Sequence, residues 1–266
     1  MEKIVFANSW QKFFTEIGMT SFGDFFDYPS LTWNSKKKTR QVYPLTFGKN
    51  ENQKQFFLKR FRNPSPIEII SPWFNFGRHM SQGHVEWENA HLLLKHNIGT
   101  YQPVCFGEHI RFGLVQKSFI LTEKLAAMEF TDFLAQKWAG MEVNQKRKIV
   151  ISIAKLIRRI HSLNISMPDL YVWHFFINED CAENQCQLSI IDLHRIRKNV
   201  GNQNEKITNL GRLFWNMSPK YFDNNDKDLF IEEYLGSNQL KIKANLASKI
   251  QKTVEKIARR RNLKNY

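Results

Sequence analysis

The chain has 266 residues, 42% of them hydrophobic and 14% aromatic with 22 Phe, which excludes a disordered protein and leaves room for two modest lobes with real cores. No run approaches the roughly 18 uninterrupted apolar residues of a membrane span, and three cysteines without a CxxC pair (Cys105, Cys181, Cys186) argue against a disulfide framework or a zinc site. The formal charge is +14, and Lys241 to Tyr266 alone carries nine basic residues against one acidic, so the surface wants an anionic partner: nucleic acid, anionic lipid or a phosphorylated substrate.

The opening MEKIVFANSWQKFF lacks the basic-then-apolar layout of a secretory signal and reads as mature and cytoplasmic. Phe6, Trp10, Phe13, Phe14 and Ile17 recur at helical spacing and predict a helix from Phe6 to Met19. RQVYPLTF (40–47) and KQFFLKRF (54–61) read as two strands joined by the polar turn GKNENQ. A helix starts near Ser81, runs through EWENAHLLLKH and ends before Gly99. Three strand-like runs follow: QPVCF (102–106), HIRFGLVQ (109–116) and KSFILTEKL (117–125).

The pattern changes near residue 126. Glu142 to Leu163 is an amphipathic helix whose stripe is Ile149, Ile153, Leu156, Ile157 and Ile160. QLSIID (187–192) is a short apolar strand, and helices fill the rest, the last with Ile242, Leu246, Ile250, Val254 and Ile257 on one side. Strands followed by helices imply an α+β fold in two lobes, 1–125 and 126–266.

Phosphoryl transfer needs one carboxylate to orient the attacking hydroxyl and another to hold magnesium. Asp169 follows the long helix and a Met-Pro turn, and Asp192 ends the apolar strand, 23 residues on (192 minus 169). Taken singly, the first is a turn residue and the second a strand-end cap. Lys59 shares a strand face with Phe57, and an ammonium on an apolar face needs a partner. Glu86 suits, with Glu88 as a competitor on another face of the helix.

The order is strand lysine, helix glutamate, hinge, long helix, Asp169 loop, strand, Asp192, which is the order of a protein-kinase-like fold. The chain resembles the lipopolysaccharide kinase family, which holds the core heptose kinases and Kdo kinases of Gram-negative bacteria. DLYVWHFFIN (169–178) is similar to that family's Asp-x-Tyr-x-x-His-Phe loop, IIDLHRIR (190–197) to its Ile-Asp-Leu-x-Arg segment, and EWENAHLLLKHNIGTYQPVCFGE (86–108) to its Glu-Trp helix and following strand. KSFILTEKL resembles its hinge strand.

The resemblance implies a bilobal fold with a catalytic loop at 167–178 and a metal-binding segment at 190–195. ATP and Mg2+ would be the cofactors. Lys59 would hold the phosphates and pair with Glu86, Leu121 to Glu123 would offer backbone to adenine, Asp169 would take the acceptor's proton, and Asp192 would bind magnesium. His174 stands where ordinary kinases have Asn, and either orients Asp169 or contacts the metal's water shell, since magnesium prefers oxygen.

The implied acceptor is a lipopolysaccharide-core or lipid-linked sugar at the inner face of the inner membrane. The chain would be cytoplasmic and peripheral there, its basic last helix meeting anionic lipid. Three departures stand out. Met167 lies two before Asp169 where kinases carry His, Asn209 replaces an Asp that grips the catalytic loop, and WNSKKKTRQV (33–42) has Lys36, Lys37, Lys38 and Arg40 in place of phosphate-loop glycines. His161, ending the long helix, is explained by its favourable place at a helix C-terminus. The alternatives are a protein or small-molecule phosphotransferase on the same fold, and a basic adaptor without catalysis; no zinc finger, RRM or helix-turn-helix signature supports a nucleic-acid partner.

Overall fold

A computed structural model describes residues 1–7, 9–29, 39–48, 53–178, 186–236 and 240–260. Lys36, Lys37 and Lys38 of the glycine-free loop lie outside them. The described chain divides into two compact units, Met1–Leu125 and Ala126–Tyr266.

The first unit is built on five antiparallel strands in the order β1-β4-β5-β3-β2: β1 (Glu2–Phe6), β2 (Arg40–Phe47), β3 (Lys54–Arg62), β4 (Pro103–Arg111) and β5 (Leu114–Glu123). Every second side chain of β3 and β5 enters one aromatic cluster. Phe56, Leu58, Phe119 and Leu121 meet Trp10 and Phe14 of α1 (Gln11–Glu16) and Phe22, Phe25 and Phe26 of α2 (Phe22–Phe26) there. The predicted helix from Phe6 is thus a strand and a shorter helix. Phe6 pairs with Cys105 of β4 and reaches the same cluster from β1 that Phe14 reaches from α1, which is why one spacing fitted both.

Two helices follow β3. α3 (Pro66–Phe76) has no counterpart among the predicted elements, because Pro72 sits inside it and Pro66 opens it. α4 (Gln82–Lys95) is capped by Ser81, whose hydroxyl accepts from the His84 amide. The three strand-like runs after it are two strands. β4 and β5 form one hairpin turning at Phe112 and Gly113, so the run 109–116 spans the turn.

The second unit contains α5 (Phe130–Gln136), α6 (Val143–Ser162), α7 (Gln203–Asn216), α8 (Asn224–Leu235) and α9 (Leu240–Ala258). A three-stranded sheet, β6 (Met128–Glu129), β7 (Phe175–Ile177) and β8 (Leu188–Ile190), carries the functional loops. Ile149, Ile153, Ile157 and Ile160 of α6 are buried as predicted. α9 lies against α7, where Gly211 lets Thr253 approach so closely that a Cβ would meet its methyl at 2.4 Å. Cys105 is a buried free thiol and Cys186 is disulfide-bonded, one cross-link that falls short of a framework.

Candidate active site

In the first unit, alternation along β3 turns Phe56, Leu58 and Arg60 toward the aromatic cluster and leaves Lys59 on the opposite face, beside α4. The Lys59 Nζ donates to both carboxylate oxygens of Glu86 at 2.8 and 2.7 Å, and the Tyr101 hydroxyl adds a third bond at 3.0 Å. Glu86 is fully buried and the Lys59 side chain 13% exposed, so this is the compensated pair that burial demands. Glu88 is not its partner; it meets Arg78 and His84.

The height of Glu86 is set by two contacts one turn earlier. Gly83 presses α4 onto β5 so tightly that a Cβ would lie 2.4 Å from the Phe119 carbonyl oxygen. Glu108 accepts from the Ser81 amide at 3.1 Å and lies 3.4 Å from the His84 ring, pinning the helix start. Burial pushes the Glu108 carboxyl up, but bonds from His84 and Ser81 and the His84 charge outweigh it and hold the carboxyl at about 2.

The hinge residues divide. Cross-strand pairing places Ile120 opposite Lys59 and Thr122 opposite Phe57, so these two share the lysine's face. The Leu121 side chain points into the aromatic cluster, and its strand lies between β3 and β4. Glu123 ends the strand, with its amide donating to the Gln102 carbonyl at 2.9 Å.

In the second unit, Asp169 lies in the turn after Pro168, and Arg195 Nη1 donates to its two oxygens at 3.0 and 3.3 Å. His174 folds back so that its Nδ1 meets the Asp169 carbonyl at 2.8 Å. A carbonyl only accepts, so Nδ1 carries a proton, and Nε2 points to the other side of the ring. That Nε2 lies 3.7 Å from Asp192 Oδ2, while His194 Nδ1 lies 2.9 Å from Asp192 Oδ1. Asp192 itself has φ +64°, left-handed backbone that Asp tolerates better than most residues. Of the predicted residues in this unit, the fold therefore brings together Asp169, His174 and Asp192, and adds Arg195 and His194.

The Asp169 loop has little regular structure of its own, and α7 holds it. Glu205, Asn209, Arg212 and Asn216 recur at four, three and four residues and so share one side of the helix. Glu205 accepts from Ser166 Oγ at 2.9 Å, Asn209 Oδ1 accepts from the Met167 amide at 2.6 Å, Arg212 donates to the Pro168 carbonyl, and Asn216 Oδ1 accepts from the Val172 amide at 2.5 Å. Sequence reasoning found only Asn209. The signal for the rest was polar residues at core spacing within a buried helix.

Asn209 also receives Ser166 Oγ at 3.1 Å and His161 Nε2 at 3.4 Å, and the Tyr234 hydroxyl meets His161 Nδ1 at 2.8 Å. Burial, with the nearby Lys206 charge, pulls the His161 pKa down to about 4 even though Asn209 raises it. A neutral ring gains nothing from the helix dipole, so the dipole account of His161 is replaced by a buried hydrogen-bond link. Met167 is buried beneath the loop. Tyr171 and Trp173 stack at 4.7 Å between centroids.

The family described as "Lipopolysaccharide kinase (Kdo/WaaP) family" matches residues 38–234. Relatives named lipopolysaccharide core heptose(I) kinase WaaP include one from Escherichia coli, 31% identical over 53% of this chain and 55% of its own length, and one from Pseudomonas aeruginosa, 30% identical over 41% and 42%. The chain thus spans about half the length of the curated relatives it matches. A solved structure titled "WaaP in complex with acyl carrier protein" superposes with a TM-score of 0.69 over 96% of this chain and 98% of that one, at 20% identity, which shows the fold.

Proposed function

Since the chain belongs to the lipopolysaccharide kinase (Kdo/WaaP) family, we propose that it moves the γ-phosphoryl group of ATP onto a sugar hydroxyl, heptose or Kdo, of a lipopolysaccharide core. The observation that carries the reading is the pairing of Lys59 with Glu86 in one unit and of Asp169 with Arg195, beside Asp192, in the other, in the chain order of a kinase.

Lys59, held by Glu86, offers its ammonium to the nucleotide's phosphates. The backbone of Leu121 to Glu123 meets adenine, with Ile120 and Thr122 on the lysine's side of the sheet. Asp169 orients the acceptor hydroxyl and takes its proton as the oxygen attacks the γ-phosphorus; the bond to the β-phosphate oxygen breaks, ADP leaves, and the proton ends on the Asp169 carboxylate. Arg195 fixes the rotamer of Asp169 through its two hydrogen bonds to the carboxylate.

Magnesium fits the residues present. Asp192 offers a hard oxygen, and the His174 imidazole beside it suits a metal-bound water better than the ion itself. When bound, the ion would neutralise charge on the β- and γ-phosphates.

No helix among the described residues is long and apolar enough to cross a membrane. A lipid-linked sugar acceptor supports peripheral attachment at the cytoplasmic face of the inner membrane, where the charge of +14 favours anionic lipid. The acyl carrier protein of the solved WaaP complex is a partner to test by co-purification.

Two measurements test the proposal. Mass spectrometry of lipid A–core from a deletion strain should show the loss of one phosphate, and an unchanged core rejects the acceptor. With purified protein, Asp169→Ala should abolish transfer and keep nucleotide binding, whereas Asp192→Ala should also lose magnesium-dependent nucleotide binding. Wild-type turnover by Asp169→Ala removes its catalytic role.

A further inference from the structure

We propose that α3 and the β4–β5 turn form the face by which the protein inserts into an anionic lipid surface; this names the contact for the membrane attachment proposed above and rests on that reading. Ile67, Ile70 and Phe74 follow one another at three and four residues along α3, with Trp73 beside them, and all four are exposed, Phe74 to 85%. A globular protein ordinarily turns such a row inward. Here Pro72 already occupies the buried side, so α3 is apolar on both.

The helix contains no Lys or Arg. Its single acid, Glu68, is consumed in the capping box, where its Oε2 accepts from the Ser65 amide at 2.7 Å. Beyond that first turn, Ile69 to Phe76 carry no charged side chain to oppose entry into an apolar phase.

The hairpin turn continues the face. Glu68 and Ile69 of α3 and Gly113 and Leu114 of the turn line one cavity, so the two pieces adjoin. Phe112 at the tip is 90% exposed and has φ +52°, a left-handed conformation that Gly or Asn would adopt with less strain. An aromatic ring kept in water on strained backbone contributes nothing to the fold.

Charge selects the occupant. The Arg111 guanidinium lies 5.1 Å from the Phe112 ring centre, and Arg78, 2.9 Å from Glu88, stands just past the end of α3. Trp and Phe edged by cations suit the boundary of an anionic bilayer, with rings among headgroups and guanidinium on phosphate. A second copy would carry the same net charge of +14, which opposes self-association.

The test is co-sedimentation of the full chain with vesicles of phosphatidylcholine and phosphatidylglycerol in equal parts, without nucleotide or sugar. Ile70→Ser/Phe74→Ser should bind about a hundredfold more weakly, and Phe112→Ser about tenfold, from the burial of large apolar side chains. All altered side chains are exposed, so thermal melting should not move. Wild-type binding should partly persist in high salt, since an apolar insertion is not screened.

Lys249→Gln/Lys252→Gln/Lys256→Gln on α9 provides the contrast. If that variant loses binding and the α3 variant does not, the face is wrong and membrane attachment stands. If the wild type does not sediment with vesicles, both fail. If the wild type is a dimer by ultracentrifugation that only the α3 variant dissociates, with vesicle binding unchanged, the face serves self-association and the proposal is overturned.

Discussion

Asn209→Ala removes the acceptor that gathers three donors beneath the catalytic loop. The Met167 amide, bound at 2.6 Å, is left buried without a partner, which costs about 1–3 kcal/mol. Ser166 retains Glu205, so its loss is small, and the 3.4 Å bond from His161 is too long to add more than about 0.5 kcal/mol. Against this, the Asn209 Nδ2, buried without a partner, disappears and returns part of its desolvation cost, about 1 kcal/mol. The net expectation is a loss of about 2 kcal/mol, read as a lower midpoint in urea with unchanged slope. Transfer should slow at saturating ATP with little change in KM for ATP, because the loop and not Lys59 is disturbed. Asn209→Asp supplies the same acceptor with charge and removes the orphaned donor, so it should be at least as stable as wild type at neutral pH. An Asn209→Ala protein within about 0.5 kcal/mol of wild type, equally fast, would refute the claim that this side chain holds the loop.

The remaining predictions concern pH, packing and the carboxylate's partner. His161 takes up a proton near 6.5 when unfolded but only at about 4 when folded, so its contribution is complete above pH 6.5 and is lost as pH falls toward 4, on the order of 3 kcal/mol in all. Melting of His161→Gln should show a shallower loss between pH 7 and pH 5; an equal slope rejects the buried neutral ring. Gly83→Ala forces a Cβ against the Phe119 backbone, so α4 must move and stability should fall by about 1–3 kcal/mol, with a raised KM for ATP through Glu86. An unchanged melting point would mean that the helix does not rest on β5. Arg195→Met should lower kcat about tenfold or more at constant nucleotide affinity, and unchanged kcat would make the Asp169 contact incidental.

Much of this site was readable before folding because its chemistry sits on sequence-local signals. Lys59 lies in an alternating strand, and Glu86 lies one helix away. Asp169 follows a Met-Pro, and Asp192 ends a short apolar strand. The fold class followed from the change of hydrophobic period near residue 126. What escaped was set by tertiary context. Phe6 fits a helix and a strand equally, and only the free edge of β4 decided for the strand. α3 hid behind two prolines. Arg195, Arg212 and Asn216 carried no meaning until the loop they bind was placed against them, and His161 could be judged neutral only once its surroundings were dry.

The ladder of four polar side chains on α7 makes an irregular loop as stiff as the helix beneath it. Gly211, one residue before Arg212, is also where Thr253 of α9 makes its closest approach. Deleting the C-terminal segment would therefore uncover the back of the very helix that steers Asp169. A truncation meant to remove positive charge would then report lost turnover for a mechanical reason. Neutralising the exposed lysines one by one leaves the strut in place, and it separates what the last helix attracts from what it braces.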